Sequence, residues 1–294
     1  MSANSIFRGT GVAIVTPFKK DGRIDFKGLS KLTEHLVKGK IEYVVVLGTT
    51  GESATLSKEE KLDVVKCIVD TVKKRIPVVL GQGGNSTYEV IKGFDSFDLT
   101  NISAVLSVSP YYNKPSQQGI FEHYKAVAKA SPRPVILYNV PGRTASNLTS
   151  ETTLRIANEV KNVIGIKEAS GNMEQCMRII KNKPKDFLVI SGDDALTLPL
   201  IACGADGVIS VVANAYPLGF SEMTRQALKG NYKKAQELHY KHTDIIEQMF
   251  ADGNPGGVKE FLTQLGICDE HVRLPLVRVN KQVQEKIKKL AKNY

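Results

Sequence analysis

"VIGIKEASG" occupies positions 163–171 and sets a lysine, Lys167, inside an otherwise apolar run. Val163, Ile164, Gly165 and Ile166 over so short a span predict a buried strand of a parallel sheet. Lysine is almost never fully buried without a partner. Side chains alternate along a strand, so Gly165, Lys167 and Ala169 share one face. Those small neighbours leave room beside the lysine if that face points inward. Burial disfavours the ammonium form, and a neutral amine attacks carbonyl carbon to give a Schiff base. The other reading stays open here: Lys167 extends to solvent at the rim, or pairs with a carboxylate.

Similar apolar, β-branched runs recur on both sides. They are "GVAIVTPF" (11–18), "YVVVLG" (43–48), "PVVLGQG" (77–83), "AVLSVSP" (104–110), "PVILYNVP" (134–141), "FLVISGDD" (187–194) and "GVISVVAN" (207–214). Helical periodicity fills the intervals near 25–39, 57–75, 86–98, 116–130, 149–160, 172–182, 194–203 and 216–229. The clearest is 57–75, with Leu62, Val65, Ile68, Val69 and Val72 on one face and Ser57–Glu60 as a capping box. Strand–helix alternation over about 225 residues predicts a (β/α)8 TIM barrel, a fold of about 250 residues. A doubly wound open sheet calls for a GxGxxG turn after its first strand, and "TPFKKDG" is not one. Residues 1–229 are therefore expected to form the barrel. Residues 230–294 are expected to form a C-terminal helical domain, with helices near 232–250, 255–265 and 279–292.

Composition narrows the function. The chain has 294 residues, 42% of them hydrophobic, with a formal charge of +10. The lysines lie in short runs interleaved with apolar residues and without an aromatic stripe, which favours solvated helix faces over nucleic-acid binding. No run of about 18 apolar residues suggests a membrane span, and "MSANSIFRGTG" lacks the apolar core of a signal peptide. Cys67, Cys176, Cys203 and Cys268 are far apart and form no CxxC pair. That argues against a zinc cage or a disulfide framework and fits a reducing cytoplasm.

A barrel places its chemistry at the C-terminal ends of its strands. Those ends carry Thr49, Thr50, Gly51 and Glu52 after the second strand, and Tyr111 and Tyr112 after the fourth. Tyr138 and Asn139 lie on the fifth, with Arg143 in the Gly-containing loop beyond. Lys167 and Glu168 lie on the sixth, and Ser191, Gly192, Asp193 and Asp194 end the seventh. A tyrosine hydroxyl can shuttle the protons that imine formation requires if neighbouring hydroxyls relay them. Taken singly, Tyr138 is as compatible with ring packing, "GTTGE" with a plain turn, and Arg143 with a surface ion pair.

"GTTGES" (48–53), "SPYYNKPSQ" (109–117), "YNVPGRT" (138–144), "GIKEASG" (165–171), "SGDD" (191–194) and "GVISV" (207–211) together resemble the dihydrodipicolinate synthase family. That family belongs to the pyruvate-dependent class I aldolases, which include N-acetylneuraminate lyase. The resemblance runs over nearly the whole chain, in order.

It implies a barrel with a C-terminal helical domain, assembled as a homotetramer of two dimers. It implies a synthase that condenses pyruvate with aspartate semialdehyde on the diaminopimelate route to lysine, with no metal and no diffusible cofactor. Lys167 would form the Schiff base, and Tyr138 would donate and accept protons. Thr49 and Tyr112 would relay them, Tyr112 from the partner subunit. Thr50 would bind the pyruvate carboxylate, Gly192 and Ile209 would contact substrate, and Arg143 would hold the carboxylate of the semialdehyde. A lysine-inhibition site would comprise Ser53, Ala54, Lys58, Lys61, Asn85, Glu89 and Tyr111. Lys58 and Lys61 depart from the inhibited pattern, which has histidines there. A sister aldolase acting on N-acetylneuraminate or a keto-deoxy sugar acid is the alternative; Arg143 and "GTTGE" argue against it. A non-catalytic barrel used for binding is the third reading.

Overall fold

The computed structural model describes residues 3–294. Eight parallel strands close into a barrel in chain order. They are β1 (Gly9–Ala13), β2 (Tyr43–Val46), β3 (Val78–Gly81), β4 (Ala104–Val108), β5 (Val135–Asn139), β6 (Val163–Glu168), β7 (Leu188–Ser191) and β8 (Gly207–Ser210). The strands stop sooner than their apolar runs. In the first run, the Asn214 side chain takes over the ladder beyond Ala13. It accepts from the Val15 N–H (3.2 Å) and donates to the Ala13 carbonyl (2.9 Å).

Outer helices follow as α1 (Phe26–Lys38), α2 (Lys58–Val72), α3 (Thr87–Gly93), α4 (Gln117–Ala130), α5 (Pro141–Thr144), α6 (Ser150–Glu159), α7 (Met173–Asn182), α8 (Thr197–Ala202) and α9 (Pro217–Leu228). The C-terminal segment forms α10 (Tyr232–Phe250), α11 (Gly256–Gln264) and α12 (Lys281–Asn293). The capping box of α2 is present, with Ser57 N–H on Glu60 Oε2 (2.9 Å) and Glu60 N–H on Ser57 Oγ (3.2 Å). On the same helix Val64 is buried, while Leu62 and Val69, expected on the inner face, are only half-buried. The expected loop after β5 is instead the single turn α5. Pro141 starts it, with φ pre-set for a helix, and Arg143 sits on it.

The barrel interior is packed by Val45, Val79, Leu106, Ile136, Tyr138, Ile190 and Ile209. Register matters most between β5 and β6. Val135 pairs with Val163, but Ile136 pairs with Gly165, so one extra residue bulges from β6. Without that bulge Lys167 would stand beside Asn139; with it, Lys167 stands beside Tyr138. Gly165 admits the close neighbour strand, since a Cβ there would lie 2.7 Å from the Leu188 carbonyl oxygen.

The C-terminal helices join the barrel through one continuous core. Ile245, Met249, Val258, Phe261, Val283 and Ile287 are buried with Val12, Val44 and Leu80 of the first three strands. All four thiols are free.

Candidate active site

Lys167 is 7% exposed and aligned with Tyr138 on one side and Ile190 on the other. Both neighbours belong to the interior cluster, and aligned residues of a parallel sheet face the same way, so the lysine points into the barrel. Its Nζ lies 4.3 Å from the centroid of the Tyr138 ring. Among the described residues no carboxylate lies within ion-pairing distance of Lys167, which removes the structural-pair reading. The nearest acid in sequence, Glu168, faces the opposite side of the sheet. It accepts from Asn139 Nδ2 (3.1 Å), Gln175 Nε2 (2.9 Å) and the Ser170 N–H (2.8 Å). Alternation thus gives one strand an inward amine and an outward, saturated carboxylate.

Gly192 makes room for the amine. A Cβ there would stand 3.0 Å from Lys167 Cε and 2.6 Å from Ala169 Cβ. The Gly192 N–H is occupied by the Glu168 carbonyl at 2.7 Å, which leaves its own carbonyl for other contacts. Ile209 is buried in the interior cluster.

A cavity open to solvent sits at the C-terminal mouth. Thr49, Ser53, Lys61, Gly83, Val108 and Tyr138 line it. It therefore joins Thr49 and Tyr138 to Ser53 and Lys61, two positions of the expected inhibitor site. Lys58, Ala54, Asn85 and Glu89 are exposed nearby in the chain. The Asn85 carbonyl accepts from Asn113 Nδ2 (3.4 Å).

Three further expected residues stand exposed on the single chain. Tyr112 is 87% exposed, with a left-handed φ of 73°, and Tyr111 beside it is 40% exposed. Arg143 is exposed on α5.

The turn carrying Thr49 and Thr50 is held from behind by residues that the motif reading passed over. Thr50 is buried, and its Oγ1 accepts from Asn254 Nδ2 at 2.9 Å. Glu52, with φ 52°, ends the turn, and its carboxylate meets Lys259 Nζ at 2.5 Å with both side chains wholly buried. Lys259 also donates to the His271 carbonyl (2.7 Å), and Glu52 accepts from the Arg273 N–H (3.0 Å). Burial pulls the Lys259 ammonium below the usual lysine range, opposed by Glu52. A lysine in the apolar run "GGVKEFL" (256–262) is the same sequence signal as Lys167.

Asp194 is also buried. Its Oδ2 accepts from the N–H groups of Val211 (3.0 Å) and Val212 (3.1 Å), tying the end of β7 to the end of β8. Burial raises its carboxyl to about 6, opposed by Ser210 and those two N–H groups.

The chain matches the model of the dihydrodipicolinate synthetase family over residues 6–294. The chain belongs to the dihydrodipicolinate synthetase family. A relative from Flavobacterium psychrophilum, named 4-hydroxy-tetrahydrodipicolinate synthase, is 55% identical over 281 residues, 96% of each chain. A second from Parabacteroides distasonis, of the same name, is 51% identical over 96% of this chain and 95% of its own. Among solved structures, the chloride-inhibited dihydrodipicolinate synthase of Acinetobacter baumannii, complexed with pyruvate, matches with a TM-score of 0.94. It is 41% identical and covers 97% of this chain and 98% of its own. This synthetase-family barrel thus carries its inward lysine, its tyrosine and its threonine turn at one mouth.

Proposed function

We propose that this chain is a 4-hydroxy-tetrahydrodipicolinate synthase, condensing pyruvate with L-aspartate 4-semialdehyde on the diaminopimelate route to lysine. The observation that carries this reading is Lys167, an inward amine without a carboxylate partner, held against Tyr138. The full-length relatives share the name.

Lys167 adds to the pyruvate carbonyl, and loss of water leaves an imine. Tyr138 passes the proton that the departing hydroxyl needs, relayed by Thr49 and by Tyr112 of a partner subunit. Removal of a methyl proton gives an enamine, the imine nitrogen serving as electron sink, so the step needs no metal. The enamine carbon attacks the semialdehyde aldehyde. The amino group of that adduct then attacks the imine carbon, closes the ring and releases Lys167. One water is lost overall. Thr50 holds the pyruvate carboxylate, Arg143 that of the semialdehyde, and Gly192 and Ile209 shape the pyruvate site.

The assembly is a homotetramer of two dimers, working in the cytoplasm. Exposure of Tyr112 in a left-handed conformation supports the crossing relay, since such strain persists where surroundings enforce it. Four free thiols fit a reducing compartment. The 230–294 helices act as a domain docked behind the catalytic turn.

A direct test incubates the protein with pyruvate and borohydride. A reduced pyruvyl adduct is expected on Lys167, alongside turnover of pyruvate with aspartate semialdehyde and none of N-acetylneuraminate. An adduct on another lysine, or none, defeats the mechanism. Neuraminate cleavage without semialdehyde turnover would make the chain a sister aldolase.

A further inference from the structure

The hydrogen bond between Asn254 and Thr50 spans two distant parts of the chain and is buried at both ends. Thr50 is 3% exposed and Asn254 8%. Asn254 Nδ2 donates to Thr50 Oγ1 at 2.9 Å. A hydroxyl has one proton to donate and lone pairs to accept with. Asn254 occupies an acceptor position of Thr50, and among the described residues nothing accepts from that hydroxyl. The Thr50 proton is therefore left for another acceptor.

The place of Asn254 is set by the chain around it, while its Oδ1 is buried without a partner among the described residues. Asn254 stands just before α11, and Lys259 on that helix is locked to Glu52, two residues beyond Thr50. Residues 254 and 259, just before and just inside the start of that helix, thus grip the same turn twice. Thr16 adds a third tie, its Oγ1 donating to the Gly51 carbonyl at 2.7 Å.

We propose that Asn254 is a positioning residue that fixes the direction of the Thr50 hydroxyl, committing its proton to the carboxylate of the incoming 2-oxo acid. The inference rests on the reading that Thr50 binds that carboxylate. The C-terminal segment then takes part in substrate recognition, through a residue that touches no substrate. An anion in the site meets a donor already aligned, and no reorientation is needed on binding.

The test is Asn254→Asp, nearly the same shape but without a donor. A carboxylate accepts only, so it takes the Thr50 proton and turns the hydroxyl away. Borohydride trapping on Lys167 is followed against pyruvate concentration. The half-saturating pyruvate concentration is expected to rise at least tenfold, about 1.4 kcal/mol, with the final extent of trapping retained. A purely structural role would lower the trappable fraction and leave half-saturation in place.

The shift is expected to vanish in a Thr50→Val background. Persistence there would mean simple charge repulsion and overturn the proposal. Unchanged half-saturation in Asn254→Asp would mean that Thr50 already donates to residue 254, and overturns it equally. If Asn254→Asp does not fold, Asn254→Ala is read in the same two backgrounds. A rise that depends on Thr50 supports the proposal, and no rise defeats it. Absence of any wild-type adduct on Lys167 would instead defeat the functional reading.

Discussion

Lys167 and Tyr138 stand side by side on β6 and β5, the amine nitrogen 4.3 Å from the ring centroid. The contact packs the ring and brings a hydroxyl-bearing side chain to the amine. Packing and proton transfer can be separated by Tyr138→Phe, which keeps the ring. Its melting temperature is expected to stay near wild type, while adduct formation slows by about 10²–10⁴, the usual worth of a positioned proton-transfer group. Stopped-flow measurement of adduct formation checks this; a wild-type rate would remove Tyr138 from the proton path.

Arg143 lies exposed on α5. Arg143→Ala is expected to weaken use of aspartate semialdehyde by about 1.5–3 kcal/mol, the worth of a hydrogen bond to a charged group. Trapping of pyruvate on Lys167 should be nearly unaffected. Initial rates against each substrate separate the two effects, and equal damage to both steps would contradict the assignment.

Lys259 and Glu52 form an ion pair with no solvent contact. Removing one partner strands a buried charge. Lys259→Met is therefore expected to cost about 3–5 kcal/mol of stability. Glu52→Gln with Lys259→Met should recover much of the loss, because no unpaired charge remains. Urea unfolding of the three proteins checks this; a double variant no more stable than the single one would contradict it.

Burial raises the Asp194 carboxyl from 3.8 to about 6. A folded value above the unfolded one means that the native state binds the proton more tightly. This group's contribution is thus full below about pH 4 and declines as pH rises through about 6. Asp194→Asn cannot titrate, so the melting temperature of the variant relative to wild type should rise from pH 4 to pH 7. A difference that stays constant with pH would exclude the linkage.

Lys61 lines the cavity that also holds Thr49, Ser53 and Tyr138, and no carboxylate pairs with it among the described residues. An ammonium there repels the amino groups of a lysine ligand, where a neutral histidine would not. Inhibition by lysine is expected to be weak at sub-saturating pyruvate, and replacing Lys58 and Lys61 with histidine should strengthen it. Potent inhibition of the wild type at sub-millimolar lysine would show that these cations do not guard the site.

Much of this protein is written locally in its sequence. Eight β-branched runs, the 3.6-residue stripes between them and the Ser57–Glu60 box placed strands and helices, because each pattern is satisfied by residues close along the chain. Period-2 alternation also placed Lys167 and Glu168 on opposite faces. Tertiary closure decided the rest. The bulge that sets Lys167 beside Tyr138, rather than Asn139, is a matter of register between two strands 24 or more residues apart in the chain (Asn139 to Val163), which neither strand's own alternation specifies. The ties from Asn254 to Thr50 and from Lys259 to Glu52 span 204 and 207 residues. No local period encodes them. They arise because burying the apolar faces of α10, α11 and α12 against the barrel brings those polar groups together behind the turn, where each must find a partner or bear the cost of desolvation.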